Sequence, residues 1–410
     1  MISALTHLEC SACGERYDAD VPQNLCRDGK PLLVRYDLAA ATRTLTAHSL
    51  REREPSLWRY AELLPLRDHA NRVSLGETMT PLLPLPRTGA RHDLDLFVKD
   101  EGLLPTASFK ARGAAVGVSR AKELGITAFA MPTNGNAGGA WSAYAARAGM
   151  KAHIVMPQSA PHVNRLETVM TGADVHLVDG LISDAGKIVA RAVARGGVFD
   201  ASTLKEPYRI EGKKTMGFEL AEQFGWTVPD VIVYPTGGGV GLIGIDKALR
   251  ELHALGLIDA RMPRMVAVQS TGCAPIVRAF DAGANESVFW ENASTVAFGI
   301  TVPKPLGDAI VLASLYATNG TAIAVGDDAI LAGQREISSS DGVFVCPEGG
   351  ATLAAAIALR KRGWIRAGER VLLINTGSGL KYPDVPYAEP PLLSTSDDIS
   401  SSRSWHERDR

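Results

Sequence analysis

Lys110 is the residue of this chain whose surroundings suit it best to covalent chemistry. It ends the run Pro-Thr-Ala-Ser-Phe-Lys at 105–110 and opens a segment with helical periodicity. A lysine at this point can direct its amine into a cleft, where the unprotonated form binds a carbonyl cofactor as an imine. A solvated surface lysine is the ordinary alternative. The choice between the two depends on the polar loops elsewhere in the chain.

A second candidate is a glycine-rich loop that follows the apolar strand predicted at 230–234. Its central residues are Gly237, Gly238, Gly239, Val240 and Gly241. Glycines let backbone amides approach an anion closely, and the helix that follows adds positive potential at its start. No Lys-Ser or Lys-Thr pair follows the last glycine, which excludes a Walker loop. A phosphate site and a tight connection without a ligand are the two interpretations.

Two more loops place polar side chains at the ends of predicted strands. Asn136 follows the strand at 126–131 and can offer an amide donor to a phenolic oxygen, or cap a helix. Thr376 follows the strand at 370–374 and can face a heterocyclic nitrogen, or close a turn. An amine, an anion site, an amide and a hydroxyl are together what pyridoxal phosphate needs.

Short β-branched runs and helical patterns alternate along the chain. This alternation predicts an α/β fold of doubly wound parallel sheets, whose ligands bind beyond the C-terminal ends of the strands. The predicted strands lie at 94–98, 126–131, 151–156, 174–178, 230–234, 265–269, 321–325 and 370–374. The predicted helices lie at 109–124, 137–148, 162–170, 182–195, 213–224, 241–255, 327–338 and 351–362.

Composition excludes several classes of protein. Lysine plus arginine number 43 and aspartate plus glutamate 45, so the net charge of −2 gives no reason to expect nucleic acid or an acidic membrane as partner. The N-terminus lacks the pattern of a signal peptide, and the apolar stretches are too short to cross a bilayer. Five cysteines in 410 residues do not form a disulfide scaffold. We therefore expect a cytoplasmic protein.

These motifs resemble those of a known family. Ser108-Phe109-Lys110, Gly135-Asn136, the glycine loop and Thr376-Gly377 resemble the fold-type II pyridoxal-phosphate enzymes, in the tryptophan synthase beta-like superfamily. Within that group the chain is most similar to the threonine synthase family, over roughly residues 5–385. The segments Leu75–Thr78 and Pro207–Thr215 and the Cys-x2-Cys-Gly N-terminus also carry this similarity.

The resemblance implies a domain organisation and an assembly. It implies a zinc-ribbon-like extension at 1–38, a large cofactor-binding domain at 39–112 and 197–385, and a small mobile domain at 113–196. The tail at 386–410 is rich in Pro, Ser, Asp and Arg, and we predict that it is disordered. Many relatives are dimers, so a homodimer is expected.

The resemblance also implies the roles of individual residues. Lys110 corresponds to the lysine that binds the cofactor covalently, Asn136 to the residue at its phenolic oxygen, Gly237–Gly241 to its phosphate loop, and Thr376 to the hydroxyl at its ring nitrogen. The implied substrate contacts are Ser108, Thr133, Asn134, Lys205 and Arg209.

The implied reaction converts O-phosphohomoserine and water to threonine and phosphate. One alternative is an ammonia-lyase of the threonine or serine dehydratase type, or a β-replacing synthase on a related amino acid. A second alternative is a pyridoxal-phosphate-binding regulator without catalytic activity.

Three positions depart from the family pattern. Ala107 replaces a glycine beside the expected substrate carboxylate, and Ala111 replaces an acidic residue next to Lys110. The stretch Thr-Leu-Lys-Glu-Pro at 203–207 replaces an Asn-Ser-x-Asn-Pro pattern that helps hold a substrate phosphate. Lys205 and Arg209 still supply cations, so an anionic substrate group remains compatible with the sequence.

The N-terminal cysteines have the spacing of a metal site. Cys10 and Cys13 form a Cys-x2-Cys pair, and Cys26 can add a third thiolate. Asp28 replaces the expected fourth cysteine, so Asp28 or His7 would complete a zinc site. A degenerate ribbon that keeps its shape without metal is the alternative.

Overall fold

The computed structural model describes residues 3–387, 389–390 and 392–395. Most of the tail predicted to be disordered, including 396–410, lies outside the described residues. Within the described part of the chain, none of the helices has the length and apolarity needed to cross a membrane.

Strands and helices alternate through most of the described chain. The strands are β1 (Leu5–Cys10), β2 (Arg16–Tyr17), β3 (Leu32–Tyr36), β4 (Leu82–Pro84), β5 (Asp95–Asp100), β6 (Ala128–Pro132), β7 (Lys151–Pro157), β8 (Asp174–Val178), β9 (Phe199–Asp200), β10 (Val231–Pro235), β11 (Arg264–Ser270), β12 (Thr321–Val325) and β13 (Arg370–Asn375). The α-helices are α1 (Leu38–Ala41), α2 (Ala47–Arg51), α3 (Pro86–His92), α4 (Lys110–Glu123), α5 (Asn136–Ala148), α6 (His162–Met170), α7 (Ile182–Ala194), α8 (Arg209–Gln223), α9 (Val240–Ala254), α10 (Pro275–Asp281), α11 (Asp308–Ala317), α12 (Asp327–Asp341) and α13 (Pro347–Lys361).

The largest sheet has the strand order β12-β11-β10-β13-β5-β4. Its strands pair in parallel except β4, which runs antiparallel to β5 at the edge. Strand β10 is buried along its whole length, as expected for a central parallel strand covered by helices on both faces. Two hydrophobic clusters form the cores on the two faces of this sheet. The carboxyl ends of β10 and β13 therefore open at the same edge.

A second sheet, with the order β8-β7-β6-β9, is parallel throughout. Its core includes an edge-to-face pair of Phe129 and Trp141, with ring centroids 5.4 Å apart. Strands β6, β7 and β8 lie within the small domain expected at 113–196, and β9 follows at Phe199. The division into domains stays a prediction.

The first strands form a small antiparallel sheet of order β2-β1-β3, which we call the N-terminal module (residues 3–36). Its buried side chains, including Leu8 and Leu32, form a separate core that also contains Tyr208. The two parallel sheets confirm the α/β class and the doubly wound architecture expected from the sequence.

Candidate active site

Lys110 is the first residue of α4 and follows a strained turn. The short 3-10 segment Pro105–Ala107 contains two non-glycine residues with left-handed backbone, Thr106 at φ 61° and Ala107 at φ 51°. A left-handed alanine is disfavoured because its Cβ approaches the following carbonyl. This strain includes Ala107, the position at which the sequence departs from the expected glycine, and it lies directly before the residues that lead into Lys110.

The amine of Lys110 lies against Phe109 and has no salt bridge of its own in the described structure. Its Nζ is 4.0 Å from the centroid of the Phe109 ring. Burial lowers the pKa of Lys110 to about 8, from an ordinary value of 10.5; Glu348 and Cys346 oppose this change, and Arg209 adds to it. With this pKa about a tenth of the amine is neutral at pH 7, far more than for an ordinary lysine, and the neutral amine is a nucleophile and a base.

The loop after β13 lies directly beside the turn that leads to Lys110. The N–H of Phe109 donates to the carbonyl of Thr376 at 2.9 Å, and the N–H of Ser378 donates to the carbonyl of Ala107 at 3.0 Å. Ser108 is fully buried, and its Oγ has no partner among the described residues. The structure thus brings Thr376 next to Lys110 and leaves the Ser108 hydroxyl available for a ligand.

Asn136 begins α5, after the carboxyl end of β6. Its Oδ1 accepts a hydrogen bond from Asn164 Nδ2 at 2.7 Å. This contact fixes the orientation of the Asn136 side-chain amide. Thr133 Oγ1 accepts from the N–H groups of Gly135 and Gly138 at 3.1 and 3.2 Å, so it serves mainly to close the loop. Asn134 Nδ2 donates to the carbonyl of Thr301 at 3.4 Å.

The glycine loop connects β10 to α9. Gly239 has φ 76°, and a Cβ there would lie 2.2 Å from Val311 Cγ2, so only glycine fits. Within the described residues, the backbone N–H groups of Gly237, Gly238 and Gly239 donate to no other protein group. Val240 and Gly241 then start the helix. Free amides at a helix N-terminus form an anion site.

A segment that the sequence did not indicate connects these loops. Phe298 lies 3.0 Å from the Cβ position of Gly135, and the carbonyl of Gly299 lies 2.8 Å from the Cβ position of Gly237. The segment 298–302 therefore lies between the Asn136 loop and the glycine loop. Its residues carry no motif and no clear periodicity, so only tertiary packing reveals this position.

Two buried ionisable residues near Lys110 were also not identified as site residues from the sequence. Lys213 Nζ lies 3.9 Å from the Phe109 ring centroid and donates to the Phe109 carbonyl. Burial and the charge of Lys110 hold the pKa of Lys213 well below its ordinary value. Glu348 is buried; its Oε1 accepts from the N–H of Gly299 at 2.7 Å, and its Oε2 has no partner among the described residues.

The two expected anion-binding cations are already paired with carboxylates. Arg209, the first residue of α8, is buried, and its Nε donates to Glu206 at 3.3 Å. Its Nη1 donates to Thr203 Oγ1 at 3.0 Å, and Thr203 Cγ2 lies 3.5 Å from the Cβ position of Gly238. Lys205 Nζ lies 3.0 Å from Asp200. Arg209 is therefore connected to the glycine loop through Thr203, and both cations have their charge largely balanced.

The predicted metal ligands lie apart from these loops, in the N-terminal module. The structure brings one ligand atom from each of Cys10, Cys13, Cys26 and Asp28 within 4.8 Å of one another. His7, the other candidate, is not in this group.

The comparisons with known proteins agree with this arrangement. The model of the family described as pyridoxal-phosphate dependent enzyme matches residues 73–377, which contain Lys110, the Asn136 loop, the glycine loop and Thr376. The chain belongs to the pyridoxal-phosphate dependent enzyme family. Curated relatives of this pyridoxal-phosphate enzyme include the threonine synthase of Methanocaldococcus jannaschii, 35% identical over 93% of this chain and 95% of that protein. The threonine synthase of Mycobacterium leprae is 33% identical over 82% of this chain and 91% of that protein.

Several solved structures share this fold at low sequence identity. Maize serine racemase has a TM-score of 0.66 and 21% identity, and covers 82% of this chain and 94% of its own. The L-serine ammonia-lyase of the fungus Rhizomucor miehei has a TM-score of 0.61 and 21% identity, and covers 73% of this chain and 94% of its own. At these identities the likeness supports the fold-type II architecture alone.

The described residues fit pyridoxal phosphate. The amine of Lys110 has a lowered pKa, the amides of the glycine loop are free, and the buried hydroxyl of Ser108 has no protein partner. These are groups that an aldehyde, a phosphate and a carboxylate would engage. In this pyridoxal-phosphate enzyme, several polar groups of the site therefore have no protein partner and can form hydrogen bonds with a bound ligand.

Proposed function

We propose that this protein is a threonine synthase, which converts O-phosphohomoserine and water to threonine and phosphate. The observation that carries this proposal is the 35% identity to a threonine synthase over 93% of the chain, together with a site that fits the cofactor. Under this proposal, the expected cytoplasmic location and homodimeric assembly stay predictions.

In this proposal Lys110 is the catalytic base as well as the residue that binds the cofactor. Bound pyridoxal phosphate supplies an electron sink for charge that develops on the substrate. With the cofactor bound, the neutral Lys110 amine would take the proton from the substrate α-carbon and be restored by passing that proton on. It would then transfer a proton from the β-carbon to the γ-carbon, from which phosphate leaves, and the α-carbon would regain a proton at the end. Water adds at the β-carbon. The lowered pKa of Lys110 supports this role, since the amine must be unprotonated to accept a proton.

We assign the remaining contacts by the same reasoning. The free amides of Gly237–Gly239 would hold the cofactor phosphate at the start of α9, Asn136 would contact the phenolic oxygen, and Thr376 would provide a hydroxyl for the ring nitrogen. A neutral hydroxyl at that nitrogen leaves it largely unprotonated, which favours elimination and replacement over transamination. The buried Ser108 hydroxyl, with Thr133 and Asn134, orients the substrate carboxylate.

Arg209 and Lys205 are the proposed contacts of the substrate phosphate. Their ion pairs with Glu206 and Asp200 favour a second candidate function, because a balanced pair attracts a dianion less strongly. That second candidate is an ammonia-lyase or a β-replacing synthase that acts on serine or threonine.

Product analysis separates the two candidates. Cofactor-loaded protein is incubated with O-phosphohomoserine, serine and threonine, and products are identified by mass spectrometry with a phosphate assay. Equal amounts of threonine and phosphate from O-phosphohomoserine are expected. A 2-oxo acid and ammonia without phosphate release would support the second candidate, and no turnover of any of the three would contradict both.

Two variants test the role of Lys110 in the same assay. Lys110→Ala is expected to abolish turnover, because the chain then lacks its covalent amine and its base. Lys122→Ala, which removes an exposed lysine from the same helix, is the control and should retain wild-type turnover. Wild-type activity in Lys110→Ala would refute the assignment of the base.

A further inference from the structure

The N-terminal module contains two loops of similar geometry that face each other. In the first loop, at 10–14, the N–H of Gly14 donates to the carbonyl of Cys10 at 3.2 Å. In the second loop, at 26–30, the N–H of Gly29 donates to the carbonyl of Cys26 at 2.9 Å. Both glycines have a left-handed backbone, at φ 74° and 77°. The chain thus turns twice in the same way, each time next to a pair of candidate metal ligands, Cys10 with Cys13 and Cys26 with Asp28.

The four ligand atoms have the spacing of a tetrahedral site. Cys10 Sγ lies 3.3 Å from Asp28 Oδ2, and Cys13 Sγ lies 3.6 Å from Cys26 Sγ. Four ligands around zinc with bonds of about 2.3 Å lie about 3.8 Å from one another. All the distances within this cluster fall below 4.8 Å, so small side-chain shifts bring the atoms onto a tetrahedron. The cysteines are free thiols, not disulfides.

Backbone amides and a carboxylate surround the sulfur of Cys10. Its Sγ accepts from the backbone N–H groups of Ala12 and Cys13, both at 3.4 Å. Cys10 and Cys26 are buried at 3% and 4% exposure, while Cys13 and Asp28 are exposed, so the site has a closed side and an open side for metal entry. Three thiolates and one carboxylate in a tetrahedral arrangement favour zinc over the hard cations magnesium and calcium.

The module contacts the segment that carries the candidate substrate cations. Asn24, two residues before Cys26, donates through Nδ2 to the carbonyls of Asp200 and Lys205 at 2.9 and 3.1 Å. Tyr208 donates through its hydroxyl to the carbonyl of Ala19 at 3.0 Å, and it precedes Arg209 in the chain. The loop that the four ligands would close is therefore the loop that holds the segment 200–208 in place.

We propose that Cys10, Cys13, Cys26 and Asp28 bind one zinc ion, and that this ion fixes the segment 200–208 through Asn24 and Tyr208. The zinc is structural, since four protein ligands leave no open position for substrate. Because a metal that binds only the folded module stabilises it, zinc removal loosens the module first and the segment 200–208 as a consequence.

Metal analysis tests the site itself. Full-length protein is reconstituted with zinc alone under reducing conditions, dialysed, and measured by inductively coupled plasma mass spectrometry, with one zinc per chain expected. Cobalt(II) in place of zinc should give the visible absorption of a tetrahedral thiolate site. Less than about 0.1 zinc per chain, or a cobalt spectrum without thiolate bands, would overturn the proposal.

Matched variants test the ligand assignment. Cys13→Ser and Asp28→Asn alter exposed side chains, and each is expected to weaken zinc binding by about tenfold to a hundredfold or more. Asp18→Asn is the control, because Asp18 is an exposed acidic residue of the same module outside the cluster. Wild-type zinc affinity in both Cys13→Ser and Asp28→Asn would overturn the assignment.

Hydrogen exchange tests the link to the segment 200–208 without depending on the reaction that the protein catalyses. Exchange of the backbone amides in this segment is compared between zinc-loaded and chelator-treated protein. The metal-free protein is expected to exchange at least about tenfold faster there, with β10 unchanged as an internal reference. Equal exchange at 200–208 in both states would refute the positioning role, even if zinc binds.

Discussion

At the scale of single residues, the environment of Lys110 makes a prediction about pH. Its pKa is lowered by burial to about 8, so the protonated amine dominates below that pH and the neutral amine above it. Only the neutral amine attacks an aldehyde. The rate of cofactor uptake by the apoprotein should rise about tenfold per pH unit up to about 8 and then level off. Absorbance of bound cofactor, followed by stopped flow, measures this rate.

The control for this prediction is Lys122→Ala, which changes an exposed lysine on the same helix and should leave the pH profile unchanged. Borohydride reduction followed by peptide mass spectrometry should place the cofactor on Lys110. A rate that continues to rise to pH 10.5, the ordinary value for lysine, would show that the site does not lower the pKa.

A second prediction concerns Glu206, whose carboxylate neutralises Arg209. In the native protein the N–H of Tyr208 donates to one oxygen of the Glu206 carboxylate and the N–H of Arg209 to the other. Glu206→Gln keeps one of these two acceptor oxygens and removes the negative charge. If Arg209 binds a substrate phosphate, kcat/KM for O-phosphohomoserine should rise by about tenfold, equivalent to about 1.4 kcal/mol. Steady-state kinetics measure it. Turnover of serine in the same variant is the internal control, and an equal change for both substrates would contradict a phosphate contact at Arg209.

The site residues that could be predicted from the sequence lie at the ends of strands and helices, whereas those that could not are brought to the site by tertiary packing. Lys110, Asn136 and Thr376 each follow or precede a predicted strand or helix, so local pattern alone places them at loop ends. Lys213 and Glu348 become part of the site only through packing between segments distant in the chain. Neither carries a local signal of that contact.

At the scale of elements, the bounds of strands and helices flanked by turn-forming residues were predicted well. A glycine inside a helix led to a wrong prediction of where that helix begins. Strands β8 and β12 and helix α6 have the predicted bounds, because periodicity and flanking residues agree. Helix α8 begins at Arg209, not after Gly212 as predicted. Gly212 is a packing glycine, since a Cβ there would lie 2.0 Å from the carbonyl of Arg112 on α4. A glycine that admits a neighbouring helix has the same sequence signature as one that ends a helix.

The glycine loop gives a prediction for the element that binds the cofactor phosphate. Gly239→Ala places a Cβ 2.2 Å from Val311 Cγ2 at a left-handed backbone position, so the loop and the start of α9 must shift. The dissociation constant of pyridoxal phosphate should rise by at least about tenfold, through loss of at least one amide contact of about 1.5 kcal/mol. Equilibrium titration by cofactor absorbance measures this change.

Gly256→Ala at the other end of α9 is a matched control for Gly239→Ala. Gly256 also has a left-handed backbone, at φ 70°, but a Cβ there meets nothing within 4 Å. Both variants introduce the same backbone strain, and only one lies in the loop. If both variants bind pyridoxal phosphate with the same affinity, the position of Gly239 in the loop has no specific effect on phosphate binding, and the prediction is contradicted.

At the scale of the whole molecule, the sequence predicted the two parallel sheets but not the buried ion pairs that connect the large sheet to the helices beside Lys110. A buried network connects three distant segments: Lys99 at the end of β5, Arg112 on α4 and Glu219 on α8. Each of these side chains has no exposed surface. Charged residues in a chain are normally expected at the surface, so the sequence offered no reason to place them in the core.

This network leads to a prediction about overall stability. Arg112 donates through its guanidinium to both Glu101 and Glu219, and it lies two residues after Lys110. Arg112→Ala leaves both carboxylates buried with one fewer cation, so the free energy of unfolding should fall by about 3–5 kcal/mol. Urea unfolding of the full-length protein measures this change.

Arg250→Ala is the control for Arg112→Ala. Arg250 is 48% exposed and forms an ion pair with Asp246 on α9, so its loss should lower the free energy of unfolding by less than about 0.5 kcal/mol. If the two variants lose equal stability, the Arg112 network does not hold α4, and the position of Lys110 must be fixed by the backbone contacts of its own turn instead.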